Sequence, residues 1–262
     1  MPEGPEIRFH REQLQSIVGK SITNIKALSR KRVYIPNKSK IRAVNCKGKL
    51  LWIETVNYVV HIHFGLTGWI YIDEEPDYTK YIISLSNGQT IYVDSMRKFT
   101  KMRVYKKNTH KRLIENLGID ILTGEFTLDA FEELVCDYNM MISKFLLDQD
   151  KLSGIGNYIR NEALYIAKIH PKTITSKLSD KDIKSLYNAI KYVSFSLLIA
   201  WLKNNKIKIS KDIRKVTPKK IQYPYRFKVY EKERDPSGNK VTLENIAGRK
   251  TYYVKSRQKL NK

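Results

Sequence analysis

The hydrophobic period changes about half way along the chain, and this change most constrains the fold. From Ile22 to about Tyr105, apolar and β-branched residues form short runs separated by turn residues such as Asn87-Gly88, which is typical of antiparallel strands. Over residues 127–203, apolar residues instead recur at the spacing of helices. We therefore predict an α+β fold: an N-terminal antiparallel β-sandwich or barrel, led by a helix over residues 5–18, and a mainly helical C-terminal domain.

The length of 262 residues suits two ordinary domains. We expect the first domain over residues 1–115, a linker over 116–126, where glycines occur and periodicity is weak, and the second domain over 127–262. Near the C-terminus, the strand-like segments 225–230 and 250–254 flank the turn-forming sequence Asp235–Asn239. This pattern favours a β-hairpin.

The charge balance points to a polyanionic partner. The chain has 49 Lys and Arg against 26 Asp and Glu, a net charge of +23, and this excess must face outward because unpaired charges are rarely buried. The sequence has no apolar run of about 20 residues and no signal-peptide pattern at its start, so we expect an intracellular protein without a membrane span. Cys46 and Cys136 provide neither a disulfide framework nor a cysteine zinc site.

The N-terminal sequence is the strongest chemical signal. Removal of Met1 would expose the secondary amine of Pro2, and an α-amino group, with a pKa of roughly 7.7–8, is partly unprotonated near neutral pH. Such an amine can attack C1′ of a deoxyribose, expel the base and form an iminium linkage. Glu3 can then protonate the ring oxygen, while Glu6 orients the amine or a neighbouring group. The alternative for these residues is a flexible proline-rich tail.

The opening sequence Met1-Pro2-Glu3-Gly4-Pro5-Glu6 resembles that of the formamidopyrimidine-DNA glycosylase/endonuclease VIII (Fpg/Nei) family. Gly48-Lys49-Leu50-Leu51 resembles the family's G-K-x-L-L turn, shortened by one residue. The resemblance implies that Lys49 helps to hold a phosphate and takes part in elimination.

Two further segments resemble the loops that this family uses to fill the gap left by an everted base. His63-Phe64-Gly65-Leu66-Thr67-Gly68 is similar to H-L-G-M-T-G, which assigns Leu66 as one void filler. Met96-Arg97-Lys98-Phe99 is similar to P-R-R-F, which assigns Arg97 to face the orphaned base and Phe99 to wedge beside it. Thr100 stands where the family has a glycine. Core packing is the alternative for Leu66 and Phe99.

The most specific internal match lies in the helical half. Leu147-Asp148-Gln149 and the segment from Ser153 to Leu164 resemble the family's helix-two-turn-helix signature, and the match continues through Ile169-His170-Pro171. We therefore place this motif over about residues 147–171. Asn157, at the start of a helix, is expected to donate to a DNA phosphate, and His170 is expected to be structural.

The C-terminal segment resembles the region of the family's zinc finger, but its four cysteines are missing. The arrangement is similar to the zincless finger of some endonuclease VIII-like enzymes, here over about residues 225–254. In that comparison Arg249 clamps a phosphate beside Asn157 and Lys49.

As a whole, the resemblance implies a bifunctional DNA glycosylase/AP lyase of base excision repair that acts on damaged DNA, forms a Schiff base through Pro2, and proceeds by β- and δ-elimination. We expect no metal or nucleotide cofactor and a monomer. The absence of finger cysteines and Leu66 favour the endonuclease VIII-like branch and hence oxidised pyrimidines; an 8-oxoguanine/formamidopyrimidine glycosylase is the alternative. A catalytically inert damaged-DNA-binding protein and, from charge alone, a general DNA-packaging protein are rivals. The lysine-rich segment 206–225 is expected to form a loop near the everted base.

Overall fold

The structure, a computed structural model, describes residues 2–28 and 38–260. The chain forms two compact units, Met1–Asn116 and Leu117–Lys262. Met1 and part of the region for which we predicted strands, residues 29–37, lie outside the described residues.

The first unit begins with helix α1, Gly4–Gln13, and a 3-10 turn over Leu14–Ile17. Its strands are β1 (Ser21–Ala27), β2 (Ser39–Lys47), β3 (Leu50–Thr55), β4 (Val59–His63), β5 (Trp69–Ile72), β6 (Thr79–Leu85), β7 (Thr90–Asp94) and β8 (Lys101–Tyr105). Helix α2, Lys107–Glu115, ends the unit.

These strands form an antiparallel β-sandwich. Within the described residues they hydrogen-bond in the order β5-β7-β6-β1-β2-β3-β4-β8. Strands β1 and β2 pair over a short register, Ser21 with Lys40 and Ile22 with Ser39, and join the two four-stranded halves. Buried residues from α1 and from both halves, including Ile7, Ile53 and Ile83, share one hydrophobic core. The prediction of an antiparallel sandwich led by a helix is confirmed.

The second unit is mainly helical, as predicted. Its helices are α3 (Leu128–Cys136), α4 (Ile142–Phe145), α5 (Asn157–Ala167), α6 (Asp180–Asn204) and α7 (Lys211–Val216), with a 3-10 turn over Thr175–Lys177. Its strands are β9 (Ile119–Asp120), β10 (Leu152–Ser153), β11 (Thr242–Ile246) and β12 (Arg249–Tyr253). Among the described helices, none is long and apolar enough to cross a membrane.

The segment expected to be a linker differs in the structure, because residues 117–126 belong to the second unit. Strand β9 pairs in parallel with β10, and Ile121 and Phe126 are buried. Gly118 lies so close to Lys151 that an added Cβ would sit 2.2 Å from that residue's carbonyl carbon. These buried residues follow neither the helical nor the strand period, so periodicity did not reveal that the segment packs.

The C-terminal hairpin also differs from the prediction. Strands β11 and β12 pair with each other around Ala247 and Gly248, whose φ angles of 52° and 75° suit a tight hairpin turn. The segment 225–230, predicted as a strand, has no strand partner, and the turn over 235–239 is separate from the hairpin. The physical reason is Glu162, whose carboxylate accepts the backbone N–H groups of residues 228–230, which a strand partner would otherwise bind.

Candidate active site

The N-terminal turn is ordered and buried, so it is not a flexible tail. Pro2 is buried, and Glu3 and Glu6 are 1% and 8% exposed. Glu3 caps helix α1: its backbone N–H donates to Oε2 of Glu6 at 2.9 Å, and the Glu3 carboxylate in turn accepts from the Glu6 backbone. This capping box fixes the backbone next to Pro2. Glu6 thus orients the backbone of Glu3.

Helix α1 packs against the strand end that leads into the Leu66 loop. His10 is fully buried, with its ring centroid 4.3 Å from that of Trp69 and 5.2 Å from that of Phe64. Burial lowers the pKa of His10 to about 4, although the hydrogen bond to Gln13 acts in the opposite direction. This neutral histidine therefore behaves as an aromatic core residue that ties the N-terminal helix to the start of the loop.

Two loops of the first unit meet and bring the three expected void fillers together. Gly65 has φ +61°, and a Cβ on it would lie 2.7 Å from Cβ of Phe99. The backbone N–H of Arg97 donates to Oγ1 of Thr67 at 3.1 Å. Leu66 lies between these two contacts in the sequence, so Leu66, Arg97 and Phe99 share one edge of the sandwich.

Thr100, which replaces the family's glycine, is the buried link between these loops. Its hydroxyl lies 3.0 Å from the carbonyl of Phe64 and 3.2 Å from that of Asp94, and its backbone N–H donates to Oγ of Ser95 at 3.1 Å. Lys98 has φ 60° and provides the left-handed turn before Phe99. The departure from the family pattern is therefore accommodated by hydrogen bonds.

The void-filling candidates are accessible. Phe99 is 57% exposed, neighbouring Met96 is 56% exposed, and Arg97 is exposed, whereas Leu66 is half-buried. Contact of large apolar side chains with water is unfavourable, so their burial against a partner stabilises a complex. The core-packing alternative therefore does not apply to Phe99.

Lys49 lies at the same end of the sheet as the Leu66 loop. It follows Gly48, which has φ 55°, in the turn between β2 and β3, and the next residue, Leu50, pairs with His63 at the end of β4. Burial lowers the pKa of His63, and the charges of Lys101 and Lys49 lower it further. Sequence reasoning assigned no role to His63, although it begins the loop motif.

In the second unit, Asn157 lies next to the strand that begins with Arg249. Asn157 is the first residue of α5, and its Nδ2 donates to the carbonyl of Lys250 at 3.0 Å. Arg249, the first residue of β12, immediately precedes Lys250 and is exposed. The start of α5 and the start of β12 are thus adjacent.

Arg160 is a structural link that sequence reasoning missed. It is fully buried, and its Nη2 donates to the carbonyl of Lys250 at 3.2 Å and to Oγ1 of Thr251 at 2.8 Å. The available signal was an arginine within an apolar stretch of α5, next to Ile159. Such a charge is buried only when it is bound by acceptors.

Asp235 organises the turn that precedes the hairpin, and it was also missed. Its carboxylate accepts from the backbone N–H groups of Ser237 and Asn239, from the Asn239 amide, and from the Tyr165 hydroxyl at 3.1 Å. Burial raises the pKa of Asp235, but the hydrogen bonds, led by those from Asn239, outweigh it and lower the pKa overall. Tyr165 packs with Val229, Val241 and Val254 in a small apolar cluster.

His170 has structural contacts, with its ring centroid 4.9 Å from that of Tyr253 and its Nδ1 accepting from the backbone of Lys172. Among the described residues, no group of three or more His, Cys, Asp or Glu side chains is placed to hold a metal ion.

Both units of the chain match models of known protein domains. Residues 1–102 match the model of the formamidopyrimidine-DNA glycosylase N-terminal domain, and residues 117–200 match that of the formamidopyrimidine-DNA glycosylase H2TH domain. A formamidopyrimidine-DNA glycosylase of Arabidopsis thaliana is 30% identical over 99% of this chain and 71% of its own length. The chain belongs to the formamidopyrimidine-DNA glycosylase family. It is therefore a DNA repair enzyme, a DNA glycosylase with AP lyase activity.

Other relatives also cover nearly the whole chain. The formamidopyrimidine-DNA glycosylase of Pelotomaculum thermopropionicum is 29% identical over 99% of this chain and 100% of its own length. Among solved structures, the MutM (Fpg) protein of Thermus thermophilus superposes with a TM-score of 0.81 at 23% identity, covering 98% of each chain. The Lactococcus lactis enzyme bound to DNA with an AP site gives a TM-score of 0.78 at 20% identity, covering 98% of this chain and 99% of its own.

Proposed function

We propose that this formamidopyrimidine-DNA glycosylase family member excises oxidised bases from DNA through a Schiff base on Pro2 and then cleaves the strand by β,δ-elimination. The observation that carries the proposal is the N-terminal turn, in which a capping box fixes Glu3 directly beside Pro2. A rigid turn suits a terminal nucleophile, because a flexible one would lose more conformational entropy on reaching C1′.

In the proposed reaction, loss of Met1 frees the secondary amine of Pro2. The amine attacks C1′, the bond from C1′ to the base breaks, and Glu3 protonates the ring oxygen as the iminium forms. Elimination then breaks the C3′–O bond and afterwards the C5′–O bond, which leaves a gap bounded by phosphates, with Lys49 assisting. Water releases Pro2 from the remaining sugar fragment.

The DNA contacts are assigned to two sets of residues. Leu66, Arg97 and Phe99 fill the space left by the everted nucleotide, and their common position and the exposure of Phe99 support this role. Asn157 and Arg249 bind a backbone phosphate, for which the positive end of the α5 dipole and the exposed guanidinium are suited. Damaged DNA is the proposed partner.

For the lesion, we propose formamidopyrimidine and 8-oxoguanine as the first class. The relatives that match nearly the whole chain are named for formamidopyrimidine, and a similar structure is MutM with DNA that contains carbocyclic 8-oxo-G. Oxidised pyrimidines, our expectation from the sequence, stay the second candidate. Two features that resemble the endonuclease VIII-like branch favour them: Leu66, and a finger without cysteines. In this finger Asp235 organises the turn. A Lactococcus lactis relative has been solved with DNA containing an oxidised pyrimidine.

Borohydride trapping tests the proposal. The purified protein, with its N-terminus determined by mass spectrometry, is incubated with duplexes that carry an abasic site, formamidopyrimidine, 8-oxoguanine or thymine glycol. We expect a covalent adduct that is lost when a retained N-terminal tag masks Pro2 and that persists when the same tag is at the C-terminus. Relative yields and excision rates rank the lesions. If Met1 is absent and no adduct forms on any duplex, the inert damaged-DNA-binding protein replaces this proposal.

A further inference from the structure

The outer face of strands β2, β3, β4 and β8 carries a row of residues that has a lysine at each end, and we name it the basic row. The register pairs Lys47 with Leu50, Leu50 with His63, and His63 with Lys101. Directly opposed residues of antiparallel strands point to the same face of a sheet, so these four side chains form one row. Three strand spacings of about 4.8 Å make the row about 14 Å long.

The next row of the same face is partly covered. Trp52, His61 and Arg103 pair in register, and His110 of α2 packs against the first two. Helix α2 therefore covers the inner part of this face and leaves its outer part open. The opposite face, with residues such as Ile62 and Met102, belongs to the core.

A pocket of about 250 Å³ occupies the open part of the face, and we name it the outer groove. It is lined by Leu50, His61, His63, Lys101, Arg103 and Tyr105. Among the described residues that line it, none is acidic. On the same face, Glu54 lies beside α2, where it pairs with Lys107 at 3.5 Å. The positive charge of the groove is thus left without a carboxylate.

The side chains of the groove are arranged for a phosphodiester. Lys101 and Arg103 are exposed, and Nη1 of Arg103 lies 3.5 Å from the hydroxyl of Tyr105, which limits the positions of the guanidinium. The cations suit phosphate oxygens, while Leu50 and the ring of Tyr105 offer an apolar surface to a sugar. Lys101 is also two residues from Phe99, so the groove adjoins the loop of the void fillers.

We propose that the outer groove binds the sugar-phosphate backbone of the DNA beyond the damaged nucleotide, with Lys101 and Arg103 as the phosphate ligands. This inference rests on the proposed function in that DNA is the partner. It adds a contact outside the surface of Asn157 and Arg249. A DNA strand fits better than a small anion because the basic row extends beyond the pocket as far as Lys47 on β2.

The test is the salt dependence of binding to a labelled duplex with a tetrahydrofuran abasic analogue, measured by fluorescence anisotropy. The variants are Lys101→Gln/Arg103→Gln and Lys101→Glu/Arg103→Glu. Each lost phosphate contact lowers the slope of log affinity against log salt by about 1 and weakens binding roughly tenfold near 0.1 M salt. For Lys101→Gln/Arg103→Gln, which removes two phosphate contacts, we expect the slope of log affinity against log salt to fall by about two. The single-turnover excision rate at saturating enzyme should stay within about twofold.

Lys26→Glu/Lys40→Glu is the matched control, because both lysines are exposed on strands of the same unit and the charge change equals that of the glutamate pair. An equal loss in this control, or an unchanged slope in the glutamine pair, overturns the proposal. Borohydride trapping separates the two proposals. If the wild-type protein forms no adduct but the groove variants have a smaller salt slope than wild type, the groove proposal stands and the catalytic proposal fails. If wild type forms the adduct and the groove variants keep the wild-type slope, only the groove proposal is rejected.

Discussion

Nε2 of His61 lies 2.7 Å from Nδ1 of His110, and both imidazoles are buried. His61 is on β4 and His110 is on α2, so this hydrogen bond ties the helix to the outer face of the sheet. One ring nitrogen must donate and the other must accept, which is impossible when both rings are protonated. The contact therefore requires at least one neutral histidine.

This requirement predicts a loss of stability in mild acid. Burial, and secondly the charge of His110, lower the pKa of His61 to about 4, and burial lowers the pKa of His10 to about 4. An unfolded histidine titrates near pH 6.5, so between pH 6.5 and 4 the unfolded state binds more protons and stability falls as the pH falls. By pH 5 we expect a loss of roughly 2 kcal/mol in the free energy of unfolding for each residue. Urea denaturation from pH 7.5 to 4.5 measures it.

His61→Gln should flatten the part of this pH dependence that His61 contributes, because glutamine does not titrate in this range. A free energy of unfolding that is constant from pH 7 to 5 would contradict the prediction.

Glu162→Gln should destabilise the segment that leads to the hairpin. Glu162 is fully buried; its Oε1 accepts from the backbones of Val229 and Tyr230, and its Oε2 accepts from the Lys228 backbone and the Tyr225 hydroxyl. In glutamine one oxygen becomes an NH2 group that faces two donors, which costs about 2–6 kcal/mol for two unsatisfied buried groups. Urea denaturation measures the loss, and faster proteolysis at residues 225–230 locates it. Glu231→Gln, exposed nearby, is the control and should change stability by less than about 0.5 kcal/mol.

Phe99→Ala should slow excision from duplex DNA without affecting stability. Phe99 is 57% exposed, so its truncation removes little buried surface. Stacking of an aromatic ring on a base contributes roughly 1–3 kcal/mol, which corresponds to roughly 5- to 150-fold in the single-turnover rate. Single-stranded DNA with the same lesion, which has no orphaned base, should show little change. Met96→Ala, at 56% exposure in the same loop, is the matched control. Equal rates for the two variants on duplex would refute the wedge.

The sequence predicted elements whose determinants are local. The alternation of Tyr81, Ile83 and Leu85 indicates a strand, and the structure has one over Thr79–Leu85. The segment 225–230 has similar residues but is not a strand, because its amides are bound by Glu162, more than 60 residues away in sequence. Helix α7, within the lysine-rich segment 206–225, was not foreseen, since exposed lysines hide a helical period that buries only Ile213.

The same distinction holds for the candidate site. Residues within contiguous motifs, such as Asn157, could be named from the sequence. The partners that hold them could not, because pairs such as Arg160 with Lys250 are 90 residues apart and no local pattern connects them. The outer groove could not be predicted from the sequence for a related reason. The residues that line it lie on three strands, and only the strand register brings them together.

Asp235→Ala should weaken DNA binding, whereas a metal chelator should not affect DNA binding by the wild-type protein. The Asp235 carboxylate holds the turn through Asn239 and joins it to Tyr165 of α5, which also lies under the Arg257 guanidinium at 4.6 Å. Without this carboxylate, the turn loses these hydrogen bonds, and each buried donor left unpaired costs about 1–3 kcal/mol of stability. The hairpin that carries Arg249, which follows the turn in the chain, then becomes less ordered.

We expect the affinity for a tetrahydrofuran duplex to fall roughly tenfold in Asp235→Ala, which corresponds to about 1.4 kcal/mol of binding free energy. Glu233→Ala, exposed two residues earlier, should bind like wild type. EDTA should leave the affinity of wild type unchanged, because carboxylate, amide and phenol groups organise this turn where the family's zinc cysteines are missing. If EDTA weakens binding as much as Asp235→Ala does, a metal organises the finger instead and the assignment to Asp235 is wrong.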